Sequence, residues 1–191
     1  MTDPPAEHEQ EHEQGHEHLV VMGVAGCGKS TVAAELARRL GAVLVEGDDL
    51  HPPSNVARMS AGVPLTDAQR LPWLTAVRDR IAAVDAAGGD AVVACSALAR
   101  AYRDVLRGAP GRVRFVHLTG PAELVAARLA ARAGHFMPPA LLPSQLAVLE
   151  PLGPDEDGVN VEVTGTPAEV AAEALRRLGR TAPASPRGDL R

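Results

Sequence analysis

The chain predicts an α/β fold, a parallel sheet of about five strands covered by helices on both faces. Two observations carry that expectation. An apolar run, Leu19-Val20-Val21-Met22, leads through a glycine-rich turn into helical spacing from Ser30 to Leu40. Further apolar runs, Ala42 to Val45, Ala91 to Ala94 and Val113 to Leu118, each pass through turn residues into a helical pattern, and Val159 to Val163 reads as a fifth strand. The 191 residues suit one domain, with no internal repeat.

The turn after the first strand is Gly23-Val24-Ala25-Gly26-Cys27-Gly28-Lys29-Ser30, a Gly-x-x-x-x-Gly-Lys-Ser phosphate-binding loop. Glycines let the N–H groups from Ala25 to Lys29 curl around phosphate oxygens, and the following helix turns its positive end toward them. Lysine then reaches the outer phosphates, Ser30 holds Mg²⁺, and Thr31 contacts the innermost phosphate. The chain has one lysine against eighteen arginines, and that lysine is Lys29. A compact ammonium is retained where a planar fork would not serve. The nucleotide contacts expected are Gly23, Ala25, Gly26, Cys27, Gly28, Lys29, Ser30 and Thr31. A guanine-reading Asn/Thr-Lys-x-Asp motif requires a second lysine, so the nucleotide is ATP.

Ligands of such sheets sit beyond the C-terminal ends of the strands. After the second strand comes Glu46-Gly47-Asp48-Asp49-Leu50-His51-Pro52-Pro53. Carboxylates there orient hydrated Mg²⁺ or take a proton from an attacking hydroxyl, although position alone equally describes a helix cap with solvated acids. After the third strand, Cys95-Ser96-Ala97-Leu98 is expected to open a helix running through Asp104, with Ser96 as its cap or as a substrate contact. After the fourth, a helix from Pro121 carries Arg128 and Arg132 on one face and breaks into Gly134-His135-Phe136-Met137-Pro138-Pro139. Such a segment reads as a hinged flap whose arginines neutralise a transferring phosphoryl group, the alternative being two solvated arginines. Thr164-Gly165-Thr166-Pro167, after the last strand, is expected to pack near adenine, with Thr166 as a contact.

Residues 1–18 hold six acids, no Lys or Arg, and His8, His12, His16 and His18, and read as a disordered acidic tail. Its i, i+4 histidines reach a common metal only if the segment is helical. The formal charge of −5 resides there, since nineteen basic residues face eighteen acids in the remainder. A near-neutral body argues against nucleic acid, and no segment reads as a signal peptide or membrane span. Cys27 and Cys95 support neither a disulfide framework nor a zinc site, which suits a reducing cytoplasm. The expected organisation is a kinase domain over 19–178, a lid at about 121–150, and a flexible tail over 179–191.

The segment from Gly47 through Asp48, His51, Asn55, Arg58, Asp67, Gln69, Arg70 and Trp73 to Leu74 closely resembles the gluconate kinase family, the small type built on a phosphate-binding loop. Cys95-Ser96-Ala97-Leu98, Tyr102-Arg103-Asp104 and Gly134-His135-Phe136 extend the likeness over about residues 19 to 176. The resemblance implies ATP-dependent phosphorylation of D-gluconate at its 6-hydroxyl, the fold of nucleoside monophosphate and shikimate kinases, and a homodimer. With that reaction, Lys29, Asp48, Arg128 and Arg132 are expected in catalysis, with Asp48 as base and Glu46 on a Mg²⁺-bound water. The substrate set is Asp48, His51, Arg58, Arg70, Ser96, Arg103 and His135, with Arg70 first among the arginines for the carboxylate. Two positions depart from the family pattern: Arg58 replaces a usual lysine and Gln69 a usual acid. The second leaves Arg70 one fewer partner and its orientation open.

Overall fold

The computed structural model describes residues 15–131 and 138–180. Five strands, β1 (Glu17–Met22), β2 (Val43–Glu46), β3 (Ala91–Ala94), β4 (Arg112–Thr119) and β5 (Gly158–Glu162), form one sheet in the order β2-β3-β1-β4-β5. Every neighbouring pair is parallel. Alternate side chains of β1 serve opposite faces. Leu19 and Val21 pack beneath α1 (Lys29–Leu40) and α7 (Pro167–Arg177). Val20 and Met22 pack against α3 (Asp67–Ala86) and α4 (Arg100–Arg107). Burial on both faces explains why the inner strands read as unbroken apolar runs. On α3, Trp73, Leu74, Val77, Ile81 and Val84 recur every three or four residues and make its buried stripe.

The first strand starts two residues before its apolar run. His18 is fully buried, its Nδ1 accepting the Ala91 N–H at 3.0 Å and its Nε2 lying 3.2 Å from an Asp85 carboxylate oxygen. A buried imidazole is tolerated there because both nitrogens have partners. His16 lies 3.4 Å from Asp90, so both histidines are held against the body of the protein. His8 and His12 lie outside the described residues.

The helix expected from Cys95 begins only at Arg100. Residues 95–98 continue β3 as a non-helical segment, with Ala97 at a positive φ of 41°. The N-terminus of α4 is satisfied from a distance, the Glu150 carboxylate accepting the Arg100 N–H at 2.6 Å. Ser96 is therefore no cap. The remaining helices are α2 (Pro53–Ser60), α5 (Ala122–Ala131) and the short α6 (Leu142–Val148). Arg132, Gly134, His135 and Phe136 lie outside the described residues. Among the described residues no helix is long and apolar enough to cross a membrane.

Candidate active site

The phosphate-binding loop joins β1 to α1 at the C-terminal edge of the sheet. Gly28 has φ 94°, and a Cβ there would meet nothing within 4 Å. Backbone conformation, not space, demands glycine, and the open cradle fits a phosphate group before the first amides of α1. Lys29 Nζ donates to the Val24 carbonyl at 3.1 Å. Ser30 hydrogen-bonds Glu46 at the end of β2; burial raises the Glu46 pKa, opposed by that bond and by Lys29. A hydroxyl and a carboxylate are oxygen donors suited to Mg²⁺. Among the described residues no three His, Cys, Asp or Glu side chains converge.

On one side of the loop lies a groove walled by Cys27, Gly28, Thr31, Arg128, Gly165 and Pro167. The Arg128 guanidinium donates to the Val163 carbonyl at 3.0 Å, which holds this arginine against the groove. Thr166 requires correction. Its hydroxyl donates to Glu169 Oε2 at 2.8 Å and accepts the Glu169 N–H at 3.3 Å, capping α7, so its side chain is committed while Gly165 and Pro167 wall the groove. Burial raises the Cys27 pKa and pushes Cys95 up to about 12. Burial thus disfavours the thiolate of either cysteine.

The other side opens into a chamber containing Lys29, Asp48, His51, Arg70, Ser96 and Tyr102, with Met59, Leu65 and Leu141 as apolar wall. A Cβ on Gly47 would lie 2.6 Å from the Ala94 carbonyl oxygen, so only glycine lets the chain leave β2 this close to β3. Trp73 Nε1 donates to the Gly47 carbonyl at 2.6 Å and fixes the backbone just before Asp48. The same indole stacks on His51, with ring centroids 4.1 Å apart and planes inclined by 13°. His51 thus both faces the chamber and braces the turn.

Burial lowers the His51 pKa from 6.5 to about 4. Its neutral form is the folded form, so its contribution is complete above about pH 6.5 and is lost as pH falls from there toward 4. His51→Gln is expected to flatten that loss in urea midpoints measured from pH 7 to 4. His117 is shifted the same way by burial and leaves a residual slope.

Arg70 is oriented despite the missing acid at position 69. Its Nη1 donates to the Tyr102 hydroxyl at 2.8 Å and lies 3.5 Å from Asp67, while Tyr102 donates to the same Asp67 carboxylate. The guanidinium carbon sits 5.4 Å from the centre of the Tyr102 ring. Gln69 instead turns back to Thr66, its Oε1 accepting the Thr66 N–H at 3.0 Å at the start of α3.

Two arginines do not reach the chamber. Arg103 is fully buried, with Nε and Nη2 on the two Glu156 carboxylate oxygens at 2.6 and 2.8 Å. Its Nη1 donates to the carbonyls of Leu98 and Glu150 at 3.0 and 3.1 Å, so the guanidinium is consumed in joining α4 to the segment before β5. Arg58 is exposed on α2, and its Nε donates to the Pro64 carbonyl at 3.1 Å, bracing the α2–α3 connection. Sequence reasoning also missed Trp73, Tyr102 and Gln145 as site residues. Their partners lie 26, 32 and 120 positions away, beyond any local pattern.

A phosphate-binding loop standing between a groove and a polar chamber with its own carboxylate and arginine defines a P-loop phosphotransferase. A family model described as an AAA domain matches residues 19–152. Gluconokinase of Gluconobacter oxydans (strain 621H) is 50% identical over 172 residues, covering 90% of this chain and 97% of that protein. Among solved structures, an unliganded sugar kinase from Janibacter sp. HTCC2649 superposes with a TM-score of 0.82 at 46% identity, over 87% of this chain and 96% of that one. A gluconokinase from Sinorhizobium meliloti 1021 gives 0.77 at 46% identity, over 88% and 95%. The chain belongs to the gluconokinase family.

Proposed function

We propose that this chain transfers the γ-phosphoryl group of ATP to the 6-hydroxyl of D-gluconate, giving 6-phospho-D-gluconate and ADP. The single observation carrying this reading is Arg70, buttressed by Tyr102 and Asp67, in the same chamber as Asp48 and Lys29. A guanidinium held in this way suits a carboxylate at one end of a sugar acid, and Asp48 suits the hydroxyl at the other. His51 and Ser96 supply hydrogen bonds to the hydroxyls between.

Asp48 accepts the 6-hydroxyl proton as that oxygen bonds to the γ-phosphorus, and the bond to the β,γ-bridging oxygen breaks. Lys29 leaves its resting contact with the Val24 carbonyl to bridge the β- and γ-phosphates. Ser30 and, through water, Glu46 would hold Mg²⁺, which when bound neutralises charge on the phosphate oxygens. Arg128 and the groove beside Gly165 and Pro167 take the nucleotide. Arg132 is assigned to the lid by its spacing from Arg128, and His135 to the substrate by resemblance. Catalysis here is positioning and charge stabilisation, which calls for a well-placed base.

The proposal includes a homodimer in the cytoplasm. The family resemblance supports the dimer, and Val43 and Leu44, 42% and 44% exposed on edge strand β2, offer apolar surface for a second copy. Sedimentation at micromolar concentration tests it, and a monomer would remove that part.

The deciding experiment is a coupled ADP-release assay across gluconate, related sugar acids, shikimate and nucleoside monophosphates. Gluconate is expected to give the highest kcat/KM; preference for shikimate or a monophosphate would overturn the reading. In the same assay Lys29→Arg is expected to lose about 10²-fold in kcat despite conserving charge, because a wide planar group misfits a loop shaped around a point donor. Wild-type turnover would show that the lone lysine has no special role.

A further inference from the structure

We propose that Gln145 is a positioning residue for phosphoryl transfer, tying the Ala25 amide of the phosphate-binding loop to the chamber wall through a neutral oxygen. The inference rests on the kinase reading above. Gln145 Oε1 accepts the Ala25 N–H at 2.6 Å, and the glutamine is 8% exposed, so this amide, expected from the sequence to contact phosphate, is instead held by a side chain. Ala25 is the third residue of the loop. Ala25 and Lys29 face the acceptor chamber, whereas Gly28 and Thr31 face the nucleotide groove. The Ala25 amide therefore stands where the outermost phosphoryl group meets its acceptor.

The helix that supplies Gln145 grips the loop twice. Leu142, Val148 and Leu149 pack into the apolar cluster containing Val24, and Gln145 takes the amide of the next residue. Leu141, Ser144 and Gln145 also line the chamber, so a bound sugar acid touches the same element that holds the loop. The chemistry of the acceptor matters. An unmatched buried N–H would cost stability, and a carboxylate in its place would set a second negative charge beside the phosphates. A carboxamide oxygen satisfies the donor and adds no charge. It thereby sets the loop's position against the acceptor and keeps water from that seam.

The test uses the full chain with Gln145→Leu and Gln145→Glu. After thermal melts confirm folding, kcat, both KM values, the ratio of ADP released to 6-phosphogluconate formed, and pH profiles are measured. Gln145→Leu is expected to lose about 10²-fold in kcat with both KM values within about threefold, because misplacement at the reacting centre affects turnover more than binding. Its ADP-to-product ratio should rise above that of wild type as water competes. Gln145→Glu keeps an oxygen for Ala25 and is expected to lose activity as its carboxyl ionises over about pH 5–8, a limb absent from the wild-type profile. A purely structural residue would lower melting temperature while leaving the folded enzyme's kcat, product ratio and pH profile at wild-type values, and that result overturns the proposal. If Gln145→Leu does not fold, the pH profile of Gln145→Glu decides alone. Failure of the wild type to phosphorylate gluconate would sink the functional reading, whereas an active wild type with unchanged variants sinks only the role of Gln145.

Discussion

Asp48→Asn is expected to lower kcat about 10³-fold while leaving the KM for ATP within about threefold of wild type. The substitution keeps the size of the side chain and one carbonyl oxygen, but an amide cannot take a proton. Its backbone anchor is unaffected, since Trp73 holds the Gly47 carbonyl and the close approach to Ala94 is made by Gly47 itself. In the proposed mechanism ATP occupies the groove at the opposite side of the loop, whose lining does not include Asp48. The neighbouring Asp49 is exposed and outside the chamber, so Asp49→Asn is the matched control and should keep wild-type turnover. Steady-state kinetics on the two variants separates base from bystander. Near-normal turnover in Asp48→Asn would remove the base assignment.

Arg103→Met is expected to destabilise the protein by about 3–5 kcal/mol, because it strands a buried carboxylate without its partner. Both side chains of the Arg103–Glu156 pair are fully inaccessible. For a chain of this size the loss corresponds to a drop of roughly 6–20 °C in Tm. Pairing it with Glu156→Gln should recover part of the deficit, since the uncompensated charge is then gone. Arg103 holds the Glu156 carboxyl below its ordinary pKa, so the pair's contribution is full above about pH 4.5 and fades on acidification. Assayed at a temperature where it remains folded, Arg103→Met should keep the wild-type KM for gluconate. A large rise in that KM with no change in Tm would restore Arg103 to the substrate set.

Legibility followed the sequence separation of the interacting groups. The eight residues Gly23–Ser30 form their cradle from local backbone conformation, so their order alone announces a phosphate site. Asp48 was readable for a related reason, since it follows a strand end, where parallel sheets present their ligands. The arginines were not. Arg58, Arg70 and Arg103 all occupy segments near the site, and residue type cannot say which carboxylate or carbonyl each will meet. Arg70 reaches the chamber through Tyr102, 32 positions on; Arg103 is drawn away by Glu156, 53 positions on. His18 looked like part of a charged tail because its partners, Asp85 and the Ala91 amide, are 67 and 73 residues distant.

From the sequence by itself came the alternating parallel architecture, the nucleotide loop with its single lysine, the carboxylate after β2 and the family likeness. Tertiary structure alone decided which arginine lines the chamber, which becomes a buried strut, and which glutamine clasps the loop. The physical reason is that backbone conformation and hydrophobic periodicity are written within a few residues. The partner of a buried polar group is set by whichever distant element packs over it, and desolvation penalises any group left without one.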